Sequence, residues 1–92
     1  MASSSSSSGR YDVHVQRAVL SALRDLPRDV ARRVDAVLLH LEEAPRPPGA
    51  KKLAARQWWR LRIGDYRLLY TVDDDARIVA VYRLGHRRDV YR

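Results

Sequence analysis

The chain has no cysteine and one methionine among its 92 residues. Without cysteine it has no disulfide framework, no thiolate zinc site and no thiol nucleophile. The three histidines, His14, His40 and His86, are scattered and none has a neighbour at metal-ligand spacing. No metal and no other cofactor is therefore expected. No apolar run approaches the ~18 residues of a membrane span. The N-terminus also lacks the basic-then-apolar order of a secretory signal. A cytoplasmic protein with no membrane partner and no small-molecule cofactor is the expectation. Length allows one domain only. A chain this short buries roughly 60–65% of its unfolded surface, so its stability is expected to be marginal and to lean on a partner.

Acidic residues are missing from one stretch in particular. Residues 10–45 hold six Arg and six Asp or Glu, for a net charge of zero. Residues 46–92 hold twelve Lys or Arg against five Asp, which is the whole net charge of +7. Residues 46–62 carry six cations and no anion. Such asymmetry points to a polyanion as partner, RNA or DNA ahead of a membrane surface. The bland alternative is a solvated basic face.

Residues 1–9, Met-Ala, six serines and Gly, supply nothing to a core and are expected to be a disordered tail. Residues 10–92 are expected to form a single domain. Residues 11–16 alternate apolar and polar, the period of a strand with one buried face. From Arg17 the period becomes helical, with Ala18/Val19, Ala22/Leu23 and Leu26. Pro27 interrupts, and Val30, Val34, Val37/Leu38 and Leu41 repeat the helical pattern. A break this short predicts an antiparallel helical hairpin. The prolines at 45, 47 and 48 end the second helix. Residues 57–63 alternate again, with Trp59, Leu61 and Ile63 on one face and Trp58, Arg60 and Arg62 on the other. Gly64-Asp65 reads as a hairpin turn. Tyr66, Leu68, Tyr70 and Val72 give the next buried face, with Arg67, Leu69 and Thr71 opposite. Asp73–Asp75 is a second turn. Residues 78–82 are apolar on both faces, which suits a central strand, and the tail from Gly85 is expected to leave the sheet. The predicted fold is α+β: a strand, two helices, then a three-stranded antiparallel meander completing a four-stranded sheet. Helices cover one sheet face, and Arg60, Arg62 and Arg67 fall on the other.

The run Trp59-Arg60-Leu61-Arg62-Ile63-Gly64-Asp65-Tyr66-Arg67-Leu68-Leu69-Tyr70, followed by Val81-Tyr82-Arg83-Leu84-Gly85-His86-Arg87-Arg88-Asp89-Val90-Tyr91, resembles the RelE branch of the RelE/ParE toxin superfamily. The likeness covers roughly residues 11–92, with Lys51-Lys52-Leu53 and the helix pair in the expected order. It implies the toxin of a type II toxin–antitoxin pair, a small ribonuclease that cuts messenger RNA on the translating ribosome without a metal. The implied partners are a cognate antitoxin, mRNA and the ribosome. By the same resemblance the RNA-cleaving residues fall on Arg60, Arg62, Arg67, Arg87 and Tyr91. The family's best-studied pattern has lysines where this chain has Arg60 and Arg62. Two other readings share the fold: a ParE-type toxin that inhibits DNA gyrase without cutting, and an inactive member that only binds its antitoxin.

Metal-free cleavage of this type deprotonates a 2′-hydroxyl, stabilises charge on the phosphoryl oxygens and protonates the leaving 5′-oxygen. Guanidinium groups suit the second task, because their forked donors match phosphate oxygens. They suit the first badly, since a guanidinium stays protonated at neutral pH and offers almost no free base. His86, beside Arg87, is the replacement base to examine first, and Tyr91 the second. Lys51, Lys52, Arg56 and Arg88 are expected to bind the RNA backbone, and Trp58 to stack on a base.

Overall fold

Apolar residues recur every third or fourth position in 17–41 and every second position in 58–72, and the chain folds accordingly. The computed structural model describes residues 10–53 and 58–86. In chain order they form β1 (Asp12–Val15), α1 (Arg17–Arg24), α2 (Arg28–Leu41), β2 (Lys51–Lys52), β3 (Trp58–Ile63), β4 (Tyr66–Asp73) and β5 (Ile78–His86). The sheet order is β1-β5-β4-β3-β2. The β1–β5 pair is parallel and the other three pairs are antiparallel. No helix among the described residues is long and apolar enough to cross a membrane.

Both helices lie over one face of the sheet, α1 on β5 and α2 reaching β1 and β3. Val19, Val34 and Leu41 from the helices are fully buried against Leu68, Tyr70, Val79 and Val81 from the sheet. Trp59, Leu61, Ile63, Tyr66 and Val72 complete that face, as alternation predicts. The β3–β4 hairpin turns on Gly64, whose φ of +61° suits the first central position of a type II′ turn. The β4–β5 turn is held by the Asp73 carboxylate, which accepts from the Asp75 and Ala76 amides at 3.1 and 3.0 Å.

Two expectations need correction. The sheet has five strands, because Lys51 and Lys52 pair with Arg60 and Trp59 of β3. Two residues are too few to show an alternation, so nothing in the sequence marked them as a strand. The tail does not leave the sheet at Gly85: β5 continues to His86, with Gly85 opposite Arg67 and His86 opposite Tyr66. A β-bulge makes this possible. Leu69 pairs with Arg83 and Tyr70 with Val81, so Tyr82 is the extra residue. The bulge resets the alternation, returning Leu84 to the core and leaving Tyr82 and Arg83 both on the face away from the helices.

Contacts between distant segments close the end of the sheet near β1. The Tyr11 hydroxyl donates to Asp74 Oδ1 at 2.6 Å and Arg46 Nη2 to Asp74 Oδ2 at 2.7 Å. These two hydrogen bonds, Arg46 first, hold the Asp74 carboxyl below its ordinary range. Arg46 also lies over the Trp59 ring at 5.4 Å. One of the six cations in residues 46–62 is thus committed to a structural carboxylate.

Tyr70 is fully buried, and its hydroxyl donates to the Pro45 carbonyl at 2.8 Å, pinning the proline loop to the sheet. Burial pushes its pKa from 10.0 up to about 12. An acid whose folded pKa is raised contributes stability that is fully present below the unfolded value and lost as pH rises through the folded one. Tyr70 should therefore give an alkaline loss of stability between about pH 10 and 12, read as the melting temperature against pH. Tyr70→Phe should start less stable by about 1 kcal/mol, since the Pro45 carbonyl loses its donor, and should lack that part of the alkaline decline.

Candidate functional site

The face opposite the helices carries the cations. Residues paired across a ladder share a face, so the register fixes its membership. Arg62 of β3 stands directly across from Arg67 of β4, which in turn faces Gly85 of β5. In the next row Arg60, Leu69 and Arg83 lie side by side, with Lys51 extending the row on β2. Trp58, Thr71 and Ala80 form the row beyond. Leu69 is only 8% exposed, yet it lies outside the core cluster, on this second face.

Arg67 is the unusual member. It is half-buried, and its Nε and Nη1 are buried with no hydrogen-bond partner. A buried donor without an acceptor costs about 1–3 kcal/mol. Its cross-strand neighbour Arg62 is a like charge, a pairing that is itself destabilising. Among the described residues no carboxylate pairs with Arg62 or Arg67. Gly85, directly opposite, has no side chain to fill the space above the strand. Two cations held together, one with inward donors unmet, form a seat for an anion with several acceptor oxygens.

Several expected site residues join this face. Arg60, Arg62, Arg67, Trp58 and Lys51 lie on it together. Lys52 pairs with Trp59 and therefore takes the helix-side face at the sheet edge. His86 also takes that face: it stands opposite Tyr66 and meets its ring edge-on, with centroids 5.8 Å apart. The register does not bring His86 to the Arg62–Arg67 pair. His14 shares the cationic face through its pairing with Ala80, but two strand spacings and four residues along the sheet place it roughly 16 Å from Arg67. Arg56, Arg87, Arg88 and Tyr91 lie outside the described residues. Sequence reading missed Tyr82, which alternation from Val81 already turns to this face, and Arg83, which the bulge brings there. The signal was present in Val81-Tyr82-Arg83-Leu84, where two consecutive polar-tipped residues interrupt an apolar alternation.

Comparison with known proteins places the chain in one class. Residues 13–91 match the family described as the ParE toxin of the type II toxin-antitoxin system, parDE. The chain belongs to the RelE/ParE superfamily of type II toxins. Within it the chain falls on the RelE branch. It is similar to toxin RelG of Mycobacterium tuberculosis, 36% identical over 83 residues, covering 83% of this chain and 93% of that protein. Its fold is similar to a chain of the archaeal RelE-RelB complex from Pyrococcus horikoshii OT3, with a TM-score of 0.79 and 29% identity, covering 88% of this chain and 99% of that one. It is also similar to a chain of the toxin-antitoxin complex RelBE2 of Mycobacterium tuberculosis, with a TM-score of 0.73 and 28% identity, covering 84% of this chain and 98% of that one.

Proposed function

We propose that this toxin is an endoribonuclease that cuts messenger RNA, on the ribosome, by attack of a 2′-hydroxyl on the adjacent phosphate. The observation that carries the reading is the pair of buried, unpartnered donors on Arg67, set against Arg62 on the uncovered face. A scissile phosphate seated there meets both needs at once. It supplies acceptors to Nε and Nη1, and it neutralises two adjacent like charges. As attack proceeds, negative charge builds on the phosphoryl oxygens, and guanidinium groups already in place stabilise it without reorganising. The 2′-hydroxyl gives up its proton to water as its oxygen bonds to phosphorus, the P–O5′ bond breaks and the leaving 5′-oxygen takes up a proton from water, and the products are a 2′,3′-cyclic phosphate and a 5′-hydroxyl.

The position of His86 bears on the proton. A general base must come within hydrogen-bond reach of the proton it abstracts, and His86 takes the opposite face of the sheet. Much of the rate then comes from holding the RNA backbone in line and from fixed positive charge. Single-turnover cleavage of one message against pH tests this. His86→Ala should leave the rate and the pH profile of cleavage unchanged. A limb in the parent protein that flattens in the variant would restore the histidine as base.

Binding of single-stranded RNA should be dominated by phosphates. Log affinity should fall linearly with log salt, by about 0.7 per phosphate neutralised. Arg67→Ala should lower that slope by about one phosphate contact, measured by fluorescence anisotropy. A salt-independent affinity would contradict the reading. The proposed protein partner is a cognate antitoxin. The similar archaeal and mycobacterial chains come from RelE-RelB and RelBE2 complexes, and Leu20 on α1 and Leu39 on α2 are large apolar side chains left exposed on the helical layer.

A further inference from the structure

The geometry points to a second subsite on the cationic face: Trp58 and Tyr82 together form a stacking platform for one base of a single-stranded RNA. The inference rests on the RNA reading above and adds where a base flanking the seated phosphate is held. The two rings meet edge to face, with centroids 4.9 Å apart and planes at 64°. An edge-to-face contact leaves ring surface that the partner ring does not cover. Tyr82 remains 40% exposed, so part of that ring surface is open to a base.

Backbone geometry supports a placed feature. Tyr82 is the extra residue of the β5 bulge, and bulges re-aim side chains. Without it, strand alternation would leave no room for both an aromatic ring and the Arg83 cation on the same face. The platform lies four residues along β3 from Arg62, about 13 Å, with Arg60, Leu69 and Arg83 between. A phosphodiester chain running from the Arg62–Arg67 seat to the rings passes over those cations. Lys51, Arg60, Arg62, Arg67 and Arg83 make the surface complementary to a polyanion, not to an apolar peptide. Cations that track a backbone, combined with aromatic rings for the bases, are the two components of single-strand binding.

The test uses a short fluorescein-labelled oligoribonucleotide with one 2′-deoxy sugar to block cleavage, and a single abasic residue walked along it. At one position near the blocked phosphate, loss of the base should weaken binding to the parent protein about 5- to 150-fold. The same abasic change should cost nothing in Trp58→Ala or Tyr82→Ala. Trp58→Phe and Tyr82→Phe keep a ring face and should keep most of the penalty, which guards against a variant that fails to fold. The salt slope should be the same in all of them, since no charge has changed. A salt-sensitive affinity with a flat abasic walk would overturn the platform and leave the RNA reading standing. A full abasic penalty in the alanine variants would place the base elsewhere and also overturn it. Absence of any salt-sensitive binding by the parent protein would remove the RNA reading and the subsite with it.

Discussion

Arg67→Met should lose at least about 100-fold in message cleavage while melting at a higher temperature than the parent protein. The two effects have one cause. Arg67 holds Nε and Nη1 in a buried position with nothing to donate to, and it stands across the ladder from a second arginine. Methionine keeps an unbranched apolar stem in place of the arginine stem and removes the unmet donors and the like-charge pair. The relief is about 1–3 kcal/mol, and each kcal/mol shifts the midpoint of a domain this size by roughly 4–8 °C. Catalysis moves the other way, because a preorganised donor at the phosphoryl oxygens is gone. Arg67→Lys should fall between the two, since an ammonium restores charge without the fork. Thermal melting and single-turnover cleavage of the same preparations check both effects. An Arg67→Met protein that cuts normally would remove Arg67 from the site. One that melts lower would show that its guanidinium is met in the folded protein.

The adjacent residue should behave oppositely. Leu68 is one position along β4, points to the helix side and is fully buried. Leu68→Ala should cost about 2–5 kcal/mol through lost transfer energy and the cavity left behind. A total stability of roughly 5–15 kcal/mol is usual for a domain, so this variant should melt at least ~10 °C lower and lose much of its folded population at growth temperature. Toxicity would fall for want of folded protein, and cleavage per folded molecule would stay near the parent value. Urea unfolding beside single-turnover kinetics separates the cases: Arg67→Met lowers rate at full fold, and Leu68→Ala lowers fold at full rate. A Leu68→Ala protein of unchanged stability would contradict the assignment of faces in β4, and with it the placement of the arginines.

Those faces were legible in the sequence because β3 and β4 alternate without interruption. Trp59, Leu61, Ile63, Leu68, Tyr70 and Val72 fell inward and Arg60, Arg62 and Arg67 outward by parity alone. The helices were legible for the same reason at a longer period. Parity failed where the chain broke it. The bulge at Tyr82 shifts every later residue of β5, so Arg83 joins the cationic face and His86 goes to the opposite one; reading the tail as loop hid both. Register, not composition, separated Lys51 from Lys52. The Asp74 contacts with Tyr11 and Arg46 join residues 63 and 28 positions apart, beyond any local pattern, and with the Arg46–Trp59 contact they take Arg46 out of the cationic face. The unmet donors on Arg67 depend on burial that no alternation reports.

The claim that this protein cuts message is tested most directly in a translating extract supplied with one defined mRNA and analysed by primer extension. The parent protein should produce discrete new 5′ ends within the translated region, each carrying a 5′-hydroxyl, and Arg67→Met should leave the message whole. An intact message with the parent protein, accompanied by loss of DNA supercoiling by gyrase, would contradict the nuclease reading and place the toxin's target on the DNA side of its superfamily.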